Sequence, residues 1–153
     1  GGTKYEGNLL HAALANEAVI NGDIEIKQGA TLQGGVINWD SFGTTKGGKV
    51  TNIKVHGNVN GMVANFGGVI SGSIEIEENA NVTESIFNSF TSQLAGTIQG
   101  DITIKGHVGG GVDNRGTLQG NIKVENTGTI NGGIHNSGTI NGKIQYEGKT
   151  AVN

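Results

Sequence analysis

A seven-residue phrase that returns six times is the feature that most constrains how this chain can fold. It holds an apolar residue, three mostly small or polar residues, a second apolar residue, any residue and an asparagine, as in 130–136. The copies begin at residues 10, 32, 59, 82, 108 and 130. A second phrase follows each copy and ends on an apolar residue, as in 140–146. Repetition at a spacing of about 22 residues is typical of a protein built from stacked repeats.

The apolar residues alternate with polar ones within each phrase, which indicates β-strands with one buried side. Helices are disfavoured because the chain has 29 glycines, and glycine costs about 1 kcal/mol relative to alanine inside a helix. Short strands in a repeat of this length predict an all-β fold, a single-stranded parallel β-helix (a solenoid) of about six coils, right-handed. We expect one strand per phrase, with the solenoid over residues 10–146 and residues 1–9 and 147–153 as caps or cut ends.

The turns of the predicted solenoid differ in length. At one corner, the step between apolar residues of successive phrases alternates between six and four residues, which gives a period of two coils. The corner that follows the asparagine is short in most coils but carries insertions at 39–49 and 89–97.

The asparagine is present in all six copies, so stacking should place six amides in one column: Asn16, Asn38, Asn65, Asn88, Asn114 and Asn136. A buried asparagine can donate its amide to the side-chain oxygen of the next, and each bond of such a ladder contributes about 1 kcal/mol. A row of asparagines that binds a sugar or an ion is the alternative. The structural ladder is favoured, because an interrupted ladder would leave a buried amide unsatisfied.

Aromatic residues are concentrated near the inserted corner, since the only tryptophan and all four phenylalanines lie between residues 39 and 90. Ile37 and Phe87 precede ladder asparagines and are expected to face solvent. The candidate binding residues are Ile37, Trp39, Phe42, Phe66, Phe87 and Phe90. Exposed aromatic clusters with polar rims often mark surfaces that bind proteins or glycans. Alternatively, the insertions fold over this corner and bury the aromatics as a small separate core; both hold if only part of the cluster is buried.

Composition and spacing disfavour several classes of function. The net charge is −3 and the sequence has no cluster of basic residues, which argues against binding to nucleic acid. No apolar run is long enough to cross a membrane, so this segment is not expected to insert into one. There is no cysteine, and the four histidines fall in different columns, so no metal or cofactor is expected. Asp23 and Asp101 share a column three coils apart, and the only arginine, Arg115, lies near Asp113. A carboxylate cluster for glycan cleavage is not evident, so a non-enzymatic protein is favoured over a glycan-processing enzyme.

Three segments carry a family resemblance: VINGDIEI (19–26), TIQGDITIKGHVGGGVDNRGTLQGNIKV (97–124) and TINGGIHNSGTINGKI (129–144). They resemble the passenger domains of bacterial autotransporters, which are secreted right-handed β-helices. The resemblance implies a secreted or cell-surface stem or adhesin fragment, connected with virulence, exported across the outer membrane as part of a longer chain. Its partners would be a host surface protein, a glycan or another copy of itself.

A second family is similar in fewer residues. VINGDIEI (19–26) and LQGNIKV (118–124) resemble the bactofilins, which are cytoskeletal β-helices. That resemblance implies a filament unit instead of an adhesin. The two aromatic insertions and the asparagine-rich corners depart from it, because a smooth filament unit does not need them.

Overall fold

The computed structural model describes residues 3–4, 11–39, 48–91 and 94–150. Within these ranges the chain is all-β, without helix, and forms a parallel β-solenoid of about five turns with coils of roughly 23 residues. The predicted parallel β-helix is confirmed. Each of the six phrases ends in a strand of the first sheet, and five turns of the solenoid separate these six strands. No helix in the described ranges is long and apolar enough to span a bilayer.

Each full coil contributes one short strand to each of four sheets, and strands are numbered along the chain. The first sheet contains β1 (Thr3–Lys4), β2 (His11–Asn16), β5 (Gly35–Trp39), β9 (Val63–Phe66), β13 (Ile86–Ser89), β17 (Val112–Asn114) and β21 (Ile134–Asn136). The second contains β6 (Lys49–Val50), β10 (Val69–Ile70), β14 (Thr97–Ile98), β18 (Thr117–Leu118) and β22 (Thr139–Ile140).

The third sheet contains β3 (Ile24–Ile26), β7 (Ile53–Val55), β11 (Ile74–Ile76), β15 (Ile102–Ile104), β19 (Ile122–Val124) and β23 (Ile144–Tyr146). The fourth contains β4 (Thr31–Leu32), β8 (Asn58–Val59), β12 (Asn81–Val82), β16 (His107–Val108), β20 (Thr129–Ile130) and β24 (Lys149–Thr150). The strand pattern therefore continues to Thr150.

The seven-residue phrase forms two strands instead of the expected single strand. In the phrase that begins at Leu32, β4 ends on Leu32 and β5 begins at Gly35. The chain turns between the two apolar residues because the residues there are mostly glycine and small polar residues, which suit tight turns.

Equivalent residues of successive coils stack in register. Val36 pairs with Val63, and Val63 with Ile86, along the first sheet. All of these pairings are parallel except that of β1, which runs antiparallel to the edge of β2. The inward isoleucines and valines form one continuous core along the axis.

The predicted two-coil period is visible at the corner between the third and fourth sheets. Residues 27–30, 77–80 and 125–128 form longer turns closed by a backbone bond, such as Ala80 N–H to Glu77 O at 3.0 Å. The coils between them turn at Gly57 and Gly106. A Cβ on Gly106 would lie 2.6 Å from the carbonyl oxygen of Ala80 and closer still to that of Glu77. A short turn can therefore stack against the longer turn of the neighbouring coil only because its glycine has no Cβ.

Candidate functional site

The outer face of the first sheet is where the sequence placed its candidate binding residues. Two columns flank the ladder asparagines on this face and change from apolar to polar along the axis. The preceding column reads Ala15, Ile37, Ala64, Phe87, Asp113 and His135; the following column reads Glu17, Trp39, Phe66, Ser89, Arg115 and Ser137.

The apolar end of this face is buried. Ile37 is 1% exposed and Trp39 4% exposed, and they pack with Ala12 and Ala64 in a cluster separate from the main core. The expectation that Ile37 faces solvent is therefore wrong. Ile37 does point away from the solenoid axis, but a second apolar layer forms on that side. Neither Ile37 nor Trp39 has the exposure that a contact surface needs, and Phe42 lies outside the described residues.

Phe66 and Phe87 lie at the margin of this cluster. Their rings stack with centroids 6.1 Å apart and planes 26° apart. Both side chains are half-buried against the Ile37 cluster. They give the buried layer a partly exposed aromatic edge, in line with the interpretation that only part of the aromatic set is covered.

Among the described aromatic residues of this face, Phe90 is the most exposed, with 55% of its surface open to solvent. It lies on the inserted segment after β13, where Phe90 and Ala95 form an antiparallel bridge. The Thr91 N–H donates to Leu94 O at 2.8 Å, and the Leu94 N–H donates to Thr91 Oγ1 at 3.2 Å. These bonds hold Phe90 and Thr91 against Leu94 and Ala95 and place the Phe90 ring beside the next coil.

An open groove of about 650 Å³ separates Phe90 from the last two coils. Asp113, Arg115 and residues 134–137 line its other side. The Arg115 guanidinium lies 3.3 Å from an Asp113 carboxylate oxygen, and about half of the Arg115 side chain is exposed. The sequence pointed to the aromatic half of this surface and missed the polar half. The signal was present, because Phe87, Asp113 and His135 occupy one column.

The six asparagines form a continuous chain of amide hydrogen bonds. Each Nδ2 donates to the Oδ1 of the next asparagine at 2.8 to 2.9 Å, from Asn16 to Asn136. The second amide hydrogen is also used, for example from Asn65 Nδ2 to Gly68 O at 2.9 Å. The asparagines from Asn16 to Asn114 are buried. Filled bonds and burial make this column structural and leave no row of amides for a sugar or an ion.

A second ladder, which sequence reasoning missed, runs along the corner before the third sheet. In each coil an oxygen-bearing side chain accepts the backbone N–H of the equivalent residue in the next coil. Its acceptors are Asp23, Asn52, Ser73, Asp101 and Asn121, with distances of 2.7 to 3.1 Å. The other carboxylate oxygens of Asp23 and Asp101 lie 3.5 Å from Lys54 and Lys123. Both aspartates therefore have structural partners.

Glu75 lies at an outward position of the third sheet, close to Glu77. Partial burial raises the pKa of Glu75 above its ordinary value, and a hydrogen bond and charge repulsion from Glu77 act in the same direction. Lys54 and Lys105 oppose that rise. In the described residues, no three or more histidine, aspartate or glutamate side chains gather closely enough to hold a metal ion.

No protein-family profile, curated protein or solved structure matches the chain.

Proposed function

We propose that this chain is the non-enzymatic β-solenoid stem of a secreted or surface-displayed bacterial protein, and that it binds a glycan in the Phe90 groove. The observation that supports this most directly is an exposed aromatic ring facing a charged pair, Asp113 and Arg115, across an open groove. An aromatic ring that stays exposed to water does not stabilise the fold. Contact with a ligand would explain why Phe90 is exposed.

The chemistry of the two groove walls suits a saccharide. A phenyl face packs against the CH groups of a sugar ring, while Asp113 and Arg115 offer an acceptor and planar donors to its hydroxyls. The groove is open along the surface instead of enclosed. It therefore suits a stretch of a longer glycan better than a small molecule that must be surrounded.

A stem role is consistent with how the other polar residues are used. The ladder asparagines and the aspartates of the second ladder bond to neighbouring coils. These side chains hold the scaffold together, whereas the groove combines polar groups with an exposed aromatic ring that a ligand could contact.

The test is binding to an immobilised panel of cell-surface glycans and to whole cells. Phe90→Ala and Arg115→Ala should each weaken binding by about tenfold or more, which corresponds to about 1.4 kcal/mol per substitution. Both side chains are exposed, so the melting temperature should change little. Binding that both variants retain in full would overturn the proposal.

Gln99→Ala is the matched control, because Gln99 is exposed beside the second sheet, away from the groove. It should bind like the unmodified protein. If cells bind but no glycan does, and protease treatment of the cells abolishes binding, the ligand is a protein and the glycan assignment is wrong.

A further inference from the structure

A notch interrupts the corner between the third and fourth sheets in the middle of the solenoid. The short turn at Gly106 lies between the longer turns 77–80 and 125–128, and an open space of about 300 Å³ remains beside it. Asn81 and His107 of the fourth sheet line this notch together with residues of both longer turns. Its volume lies at the lower end of the range for small-molecule sites, about 300–1,000 Å³, so a single sugar unit is of a suitable size.

Asn81 is the unpaired member of the outward column that borders the notch. Above and below it in the fourth sheet, the column is joined by side-chain hydrogen bonds. Asn58 Nδ2 donates to Thr31 Oγ1 at 3.3 Å, and His107 Nδ1 and Thr129 Oγ1 form a bond of 2.6 Å. Asn81 stacks between Asn58 and His107, yet its side chain makes no hydrogen bond with the described residues. Its amide is therefore free at the edge of the notch.

The sequence at this position has a known chemical meaning. Asn81-Val82-Thr83 is the only Asn-X-Ser/Thr phrase in the sequence, and this phrase is the acceptor of N-linked sugars. Val82 is fully buried, so Asn81 and Thr83 both face outward. Thr83 is exposed, and its neighbour in the next coil is Gly109, which has no side chain to cover it. Both polar groups of the phrase are therefore accessible on the folded surface.

We propose that Asn81 carries an N-linked sugar whose first unit occupies the notch. The donor is a sugar joined through its anomeric carbon to a pyrophosphate. Asn81 Nδ2 forms a bond to that carbon while the bond from the carbon to the pyrophosphate oxygen breaks, and the electron pair leaves with the pyrophosphate. A base of the transferring enzyme takes one amide proton. The Glu78 carboxylate and the His107 ring line the same notch and offer hydrogen-bond partners to the sugar hydroxyls.

Mass spectrometry of peptides from the chain, isolated from the cells that naturally produce it, tests the proposal. The peptide with Asn81 should carry a sugar, whereas the peptide with Asn58 should not. Asn58-Val59-Asn60 occupies the equivalent position of the preceding coil and lacks only the hydroxyl of the acceptor phrase. It is therefore a matched control within the same molecule. An Asn81 that is unmodified in the natural protein overturns the proposal.

Substitutions at the phrase separate the acceptor chemistry from the fold. Asn81→Gln and Thr83→Asn should each abolish the sugar, the second by giving this coil the same phrase as residues 58–60. Thr83→Ser should retain it, because the hydroxyl is kept. These side chains face outward, so the unglycosylated variants should melt close to the unglycosylated parent chain. A sugar that remains on Asn81 in Thr83→Asn would contradict the assignment.

The site is independent of the Phe90 groove, which lies on the outer face of the first sheet. Asn81→Gln should therefore bind the glycan panel like the parent chain, and Phe90→Ala should leave the sugar on Asn81 unchanged. Failure of one proposal thus leaves the other standing, because each has its own variant and its own measurement.

Discussion

Asn88 shows what a single residue contributes to a stack of coils. Its amide donates to Asn114 Oδ1 at 2.8 Å and to Thr117 O at 3.1 Å, and its oxygen accepts from Asn65 at 2.9 Å. Asn88→Ala would remove the donor to the buried Asn114 Oδ1 and one acceptor of the buried Asn65 Nδ2. We expect a loss of about 1–3 kcal/mol in the free energy of unfolding, measured by chemical denaturation.

Asn136→Ala is the matched control for that substitution. Asn136 ends the ladder, is exposed, and accepts one bond from Asn114 that water can replace. Its loss should therefore cost clearly less than the loss of Asn88. Equal costs at the two positions would show that burial of the amide does not decide the energy.

The two ladders also show which residue roles a sequence reveals. The first ladder needs a side chain that has both an amide donor and an oxygen acceptor. This requirement restricts the position to asparagine, so six identical residues at one phrase position predicted the ladder. The second ladder needs only an oxygen, which Asp23, Asn52 and Ser73 supply equally well. Its identities vary, so the sequence did not display a column. The burial of Ile37 was likewise hidden, since alternation tells which side of a strand a residue faces and not what covers that side.

At the scale of the strand and turn, the sequence predicted where chain segments stack but not where they bend. The spacing of apolar residues fixed the register of the four sheets, because a core closes only when equivalent residues align. The phrase that begins at Leu32 nevertheless bends at Gly34, and the inserted segment after β13 presents Phe90. The position of Phe90 depends on local bonds between Thr91 and Leu94, which leave no periodic signal in the sequence.

Gly106 tests the fit between long and short turns. A side chain at Gly106 would collide with the carbonyl oxygens of Glu77 and Ala80, which are backbone atoms and cannot swing aside. Gly106→Ala should therefore destabilise the fold by about 1–3 kcal/mol, as overpacking does in a core. Gly22→Ala is the control, because a Cβ there meets nothing within 4 Å. It should be neutral or slightly stabilising, since alanine has less freedom than glycine to lose on folding.

For the whole molecule, the alternation of turns implies that the structural unit is a pair of coils. Removing residues 99–118 deletes one coil with its short turn at Gly106 and puts the longer turns 77–80 and 125–128 on neighbouring coils. Removing residues 99–140 deletes one short and one long turn and preserves the alternation. In both deletions Ile98 takes the place of the residue in its own column, Leu118 or Ile140, and is joined to the residue that follows it, because Ile98, Leu118 and Ile140 stack in the second sheet.

The stability of a repeat protein ordinarily rises with the number of repeats, because each repeat adds an interface with its neighbour. On that basis alone, the deletion of one coil would leave the more stable protein. If the pair of coils is the unit, the order reverses, and the chain lacking residues 99–140 unfolds at the higher denaturant concentration although it is shorter. Greater stability of the longer chain would show that the turns adapt to one another and that the single coil is the unit.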